Sequence, residues 1–104
     1  MNYIVIDQGT SSTKAFLFND VGKVLHTNKI KHKLSFPKKY HVEFDAAIIL
    51  DACISLFQEM VQKSEAIPIQ AAGLSVQRST FLFWERDSCQ PVTPALSWQD
   101  SRAF

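Results

Sequence analysis

Apolar and polar positions along the chain change period several times, and each change marks an element. Residues 3–6, YIVI, are β-branched and aromatic and read as a buried strand. KAFLFN at 14–19 is a second strand, and DVG at 20–22 is a turn signal. KVLHTNKIK at 23–31 alternates and reads as a third strand, which makes a meander of tight hairpins. KHKLSFPKKYHVEF is an irregular, solvated connection carrying most of the local positive charge. Asp45 is a good N-cap for a helix beginning directly after it. Ile49, Ala52, Cys53, Leu56, Phe57 and Met60 then form one apolar stripe on a helix of about five turns. Pro68 helps to stop that helix. IQAAGLSV at 69–76 is small and apolar enough for a strand buried on both faces, and TFLFWE at 80–85 reads as another strand. RDSCQP is a turn, and PALSW at 94–98 is a short final strand. The order βββαββ predicts an α/β protein with a mixed sheet: antiparallel hairpins first, then a strand returned by one main helix to lie parallel.

Composition narrows this picture. The chain has 104 residues, 46% hydrophobic and 20% charged, enough for one domain with a packed core. A net charge of +1 gives no electrostatic reason to expect nucleic acid. Cys53 and Cys89 lie far apart and match no metal spacing; a disulfide stays open, and a reduced pair is the preferred reading. Asp7 interrupts the first apolar run, so no signal peptide is read, and no segment approaches the ~20 apolar residues that span a membrane. The expected location is the cytoplasm, without a membrane partner. The chain closes on SWQDSRAF, which does not look like a domain end, so the front part of a longer protein is expected.

Chemistry is concentrated in three stretches. In IVIDQGTSSTKAFLF, Asp7 ends a strand, where a carboxylate is costly unless paired, hydrogen-bonded or bound to a cation. Gly9 allows a tight turn and close approach of a ligand to the backbone. The hydroxyls and N–H groups of Thr10, Ser11, Ser12 and Thr13 could ring a phosphate, Asp7 could hold a hydrated Mg²⁺ beside it, and Lys14 would add positive charge. The other reading is a polar hairpin with an Asx-type turn, and the residues alone leave both open. It is not a Walker A loop, because Thr13 stands where a glycine must precede the lysine. In SVQRST, Gln77 and Arg78 directly follow a buried strand, where open α/β sheets place ligands; the alternative is an edge loop with a surface arginine. In SWQDSR, Trp98 offers a face for stacking on a sugar and Asp100 with Arg102 offer polar contacts; the alternative is a buried tryptophan with a solvated ion pair. His26, His32 and His41 fit no ligand spacing and read as surface residues without a role. The lysines at 29–39 read as a solvated face.

DQGTSSTKAFLFNDVGKVL, HVEFD, GLSVQRST and WQDSRA, in this order, resemble the start of the FGGY family of carbohydrate kinases, across the whole chain. The likeness is strongest to the glycerol kinase branch, with its D-Q-G-T-[ST]-S, V-E-x-D, N-Q-R-E-T and W-Q-x-x-R elements, and extends to xylulokinases. The resemblance implies the ribonuclease H-like/actin-like ATPase fold, with residues 1–104 as the first part of the N-terminal domain. It implies ATP and Mg²⁺ as cofactors and phosphorylation of a sugar or polyol hydroxyl. It implies that Asp7 sits at the Mg²⁺–phosphate site and that Gly9, Thr10, Ser11, Ser12 and Lys14 face the nucleotide's phosphates. Gln77, Arg78, Ser79, Trp98 and Asp100 would line the acceptor pocket. Ser79 replaces the glutamate of glycerol kinases, and Asp100 gives a W-x-D pattern seen more widely in kinases of other sugars. The acceptor is therefore open. The catalytic aspartate of such kinases is expected beyond residue 104, so this stretch by itself is expected to be inactive. Homo-oligomers are a further expectation. The alternative is another actin-like ATP-binding protein, non-catalytic or from a different kinase family, against which HVEFD and WQDSR argue. A stand-alone ligand-binding domain is the third reading.

Overall fold

The computed structural model describes residues 1–103. Its elements are β1 (Asn2–Gln8), β2 (Ser12–Phe18), β3 (Val24–Lys31), β4 (Glu43–Phe44), α1 (Ala46–Lys63), β5 (Ile69–Val76) and β6 (Ala95–Leu96). The main sheet has the order β3-β2-β1-β5. β1 and β2, and β2 and β3, pair antiparallel, while β5 lies parallel to β1 after the crossover through α1. The mixed sheet expected from the sequence is thus present.

Period-2 alternation sorts the side chains of β1 and β2 onto two faces. Ile4, Ile6, Ala15 and Leu17 face α1 and pack against Leu56 and Met60, with Ile30, Cys53 and Ile69 at the margin. Asp45 caps α1 as expected, its side chain accepting the Ala47 N–H at 2.9 Å. The helix ends at Lys63, earlier than Pro68 requires. Glu65 takes a left-handed φ of 53° just beyond it, and Ser64 Oγ donates to the Ile67 carbonyl at 2.7 Å. Pro68 instead leads into β5, its carbonyl accepting the Asn2 N–H. Phe57, on the flank of the stripe, is exposed.

Two expectations are corrected. β5 is not buried on both faces: it is a sheet edge, and Leu74 and Val76 on the α1-facing side are 66% and 60% exposed. α1 lies over β1, β2 and β3 and does not extend across β5. Second, residues 80–85 form no continuous strand. They fold back on 90–96 through single bridges, Phe81 with Leu96 and Trp84 with Pro91. Pro91 and Pro94 have no N–H to donate, so a regular ladder cannot run through that segment. Instead β6 pairs with β4, which joins the HVEF segment to the end of the chain.

His26, His32 and His41 are half-buried rather than free surface groups. His26 Nε2 meets Glu59 Oε2 at 2.8 Å, and Asn28 Nδ2 donates to Glu59 Oε1 at 2.9 Å, pinning β3 to α1. These bonds hold the Glu59 carboxyl below its ordinary pKa. His32 Nε2 meets Thr13 Oγ1 at 2.6 Å. Cys53 and Cys89 are both free thiols.

Candidate functional site

The β1–β2 hairpin is tight because Gly9 makes it so. The Gly9 N–H donates to the Ser12 carbonyl at 2.9 Å, and a Cβ on residue 9 would meet that same oxygen at 3.0 Å. Beyond the turn the four hydroxyls separate. Thr13 falls on the α1-facing parity, is fully buried and is held by His32, so it does not join a phosphate ring. Thr10 Oγ1 accepts the Trp98 indole N–H at 2.7 Å. Ser11 is exposed and Ser12 half-buried, and neither hydroxyl has a partner among the described residues.

Asp7 lies on the opposite parity from Ile6 and is exposed, so its ionised carboxylate carries little desolvation cost. In register it stands opposite Lys14 on β2 and Ser75 on β5. Ser12 and Lys14 share its face of the sheet, by the alternation of β2. Neither Asp7 nor Lys14 makes an ion pair with a described residue. Among the described residues no three His, Cys, Asp or Glu side chains converge. A cation at Asp7 would therefore take one carboxylate, with water and phosphate oxygens completing its shell, which is how Mg²⁺ is commonly held. The exposed carboxylate, the close turn at Gly9, the free serine hydroxyls and Lys14 fit a Mg²⁺–phosphate group. Ser75 was not legible as a neighbour of this group, because only the β1–β5 register brings it there.

The second part of the site begins where β5 ends. Ser79, at φ 57°, turns the chain sharply, and with Arg78 and Trp98 it lines a cleft of about 470 Å³. Arg78 makes no ion pair with a described residue, which leaves its guanidinium free for a ligand. Trp98 gives the cleft an aromatic wall and is half exposed.

Gln77 is turned the other way. Its Nε2 donates to the Gly9 carbonyl at 3.2 Å and to Gln8 Oε1 at 3.3 Å. Its Oε1 accepts from Thr80 Oγ1 at 3.0 Å and, at the longer distance of 3.5 Å, from Thr10 Oγ1. The Trp98 backbone N–H donates to Thr80 Oγ1 at 3.1 Å. Thr80 is a junction that no pattern in the sequence singled out; its only signal was adjacency to Gln77 and Arg78.

Asp100 is likewise engaged within the chain. Its side chain is only 5% exposed, and it accepts the Val42 N–H at 2.7 Å and the Arg102 Nε–H at 2.9 Å. Arg102 also reaches Glu43 at 2.6 Å. The Arg102 hydrogen bonds hold the Asp100 carboxyl far below the usual carboxylate range, and Asp100 and then Glu43 push the guanidinium pKa up. This cluster fastens the Trp98 loop to the HVEF segment. The structure thus gathers Asp7, Gly9, Thr10, Ser11, Ser12 and Lys14 at one hairpin and Arg78, Ser79 and Trp98 at an adjoining cleft. Gln77 lies between them and Asp100 at the base of the Trp98 loop.

Known proteins share this arrangement of elements. The profile of the FGGY family of carbohydrate kinases, N-terminal domain, matches residues 2–104. The chain is 37% identical over 101 residues to the glycerol kinase of Coxiella burnetii, covering 95% of this chain and 20% of that protein. It superposes on the crystal structure of Plasmodium falciparum glycerol kinase with ADP at a TM-score of 0.84 and 28% identity, covering 96% of this chain and 21% of that one. The ligand-bound xylulose kinase of Lactobacillus acidophilus gives a TM-score of 0.86 at 25% identity, over 95% of this chain and 20% of that one. The chain spans about a fifth of the length of the curated relatives it matches.

Proposed function

The chain belongs to the FGGY family of carbohydrate kinases, and from that premise we propose that it forms the first part of an ATP-dependent kinase that phosphorylates a hydroxyl of a sugar or polyol. The Plasmodium glycerol kinase holds ADP, which supports a nucleotide as the phosphoryl donor here. In this reading Asp7 holds Mg²⁺, while Thr10, Ser11, Ser12 and Lys14 with the backbone at Gly9 surround the phosphates. The bound Mg²⁺ would neutralise charge on the transferred phosphoryl group. Arg78, Ser79 and Trp98 bind the acceptor: the indole stacks on its C–H face, and the guanidinium donates paired hydrogen bonds to its oxygens. Gln77 and Asp100 shape that pocket from behind.

The observation that carries the reading is the 2.7 Å bond from the Trp98 indole to Thr10, which joins the aromatic wall of the cleft directly to the Gly9 hairpin. Phosphoryl transfer depends mostly on positioning and electrostatic stabilisation, so adjacency of the two half-sites is what the chemistry needs. No residue of this stretch is proposed as the catalytic base; an aspartate of a later segment supplies it, and residues 1–104 alone turn nothing over. Ser79, in place of an acid, moves the acceptor away from glycerol. A cytoplasmic location and self-association belong to the same proposal.

The test is ADP release by the kinase carrying this segment across a panel of polyols, ketoses and aldoses. The expected result is acceptor-dependent turnover that Asp7→Asn lowers by about 100-fold or more, the scale typical for loss of a charge-stabilising group. No turnover with any member of the panel, or full activity in Asp7→Asn, overturns it.

A further inference from the structure

We propose that Gln77 is a positioning residue that locks the phosphate hairpin to the acceptor wall, so that each half-site responds to occupancy of the other; this rests on the kinase reading above. Three segments far apart in sequence close a ring of hydrogen bonds. The Trp98 backbone N–H donates to Thr80 Oγ1, whose hydroxyl donates to Gln77 Oε1. Gln77 Nε2 donates to the Gly9 carbonyl, and Thr10 Oγ1 returns to the Trp98 indole N–H at 2.7 Å. The direct Thr10–Gln77 contact across the ring is 3.5 Å.

Every polar atom of the Gln77 amide is used inside this ring, so none is left to bind an acceptor. The amide offers donors on one side and an acceptor on the other, and the ring needs both: carbonyl oxygens at residues 8 and 9, hydroxyls at 10 and 80. Trp98 is the one member that also lines the cleft. A ligand that shifts the indole must therefore stretch the bond to Thr10, whose neighbours Ser11 and Ser12 carry the free hydroxyls. Coupling of this kind is reciprocal: a nucleotide that fixes the hairpin also fixes the indole for the acceptor.

Two measurements test the proposal. In the 104-residue chain, solvent exchange of the Trp98 indole proton is followed by NMR, with the Trp84 indole as internal control. Thr10→Val and Gln77→Met are each expected to speed Trp98 exchange about tenfold or more and to leave Trp84 unchanged. Unchanged Trp98 exchange in both variants overturns the ring. In the kinase carrying this segment, acceptor affinity is measured with and without Mg·ADP. The parent is expected to show coupling of roughly 5-fold or more, and Gln77→Met to bring the ratio close to one, with Gln77→Glu restoring little because it loses the donors. A Gln77→Met protein of lower melting temperature but intact coupling shows a merely structural role and overturns the proposal. Should the kinase show no acceptor binding at all, the function proposed above fails, while the indole exchange still decides whether the ring exists.

Discussion

Two halves of one sheet face are built from similar residues and end in opposite environments. On β1 and β2, Ile4 and Leu17 are sealed, 0% and 1% exposed, beneath Leu56 and Met60 of α1. One strand further, Leu74 and Val76 point the same way and stay mostly in solvent. Between them Ile6, Cys53, Ile54, Phe57, Ala72 and Leu74 line an open apolar groove. An apolar side chain is buried only where a second layer lies over it. The helix supplies that layer for the half that carries the Gly9 hairpin. It does not reach the half from which the loop at residues 77–80 departs.

The sharpest way to break the comparison is to truncate one leucine in each half. Leu56→Ala should cost about 2–5 kcal/mol in urea unfolding, because the cavity it leaves is enclosed by packed neighbours. Leu74→Ala should cost less than about 1 kcal/mol, since most of its surface is already in water. Equal losses would mean that β5 is covered in solution. A smaller effect is expected at the helix start. Asp45→Ala removes the acceptor for the Ala47 N–H and should cost about 1 kcal/mol, with a matching loss of helical circular dichroism on mild heating.

The smallest effect lies in the cluster that fastens the Trp98 loop to Val42 and Glu43, and it appears only in acid. The Asp100 carboxyl titrates below its unfolded value because of Arg102 and the Val42 N–H. A carboxylate with a lowered folded pKa stabilises fully above its unfolded pKa, and that contribution is lost as pH falls through the lower folded value. Unfolding measured from about pH 6 down to about pH 3 should therefore show a shallower acid decline in Asp100→Asn than in the parent. An identical decline would show that the Arg102 pair contributes nothing there.

Much of the fold was legible because it rests on local periodicity. The strands β1, β2 and β3, the stripe from Ile49 to Met60 and the cap at Asp45 each arise from local pattern. The Gly9 turn was legible because few residues fit so close to a neighbouring carbonyl. Residues 80–85 misled because their composition favours a strand, while the disqualifying feature, Pro91 and Pro94, lies on the partner segment. Asp100 read as an open acceptor contact because nothing local shows that the distant Val42 N–H engages it, or that Glu43 holds Arg102 beside it.

By itself the sequence determined the elements, their order and the positions of the chemistry-bearing stretches, since each depends on residues within a turn or two of one another. Only tertiary structure decided that α1 covers β1 and β2 and leaves β5 aside, because burial belongs to layers and not to residues. Tertiary structure also decided that Gln77 faces inward and that Thr10 meets Trp98 across 88 positions of chain. Such contacts depend on strand register and crossover geometry, which bring together groups that no local pattern relates.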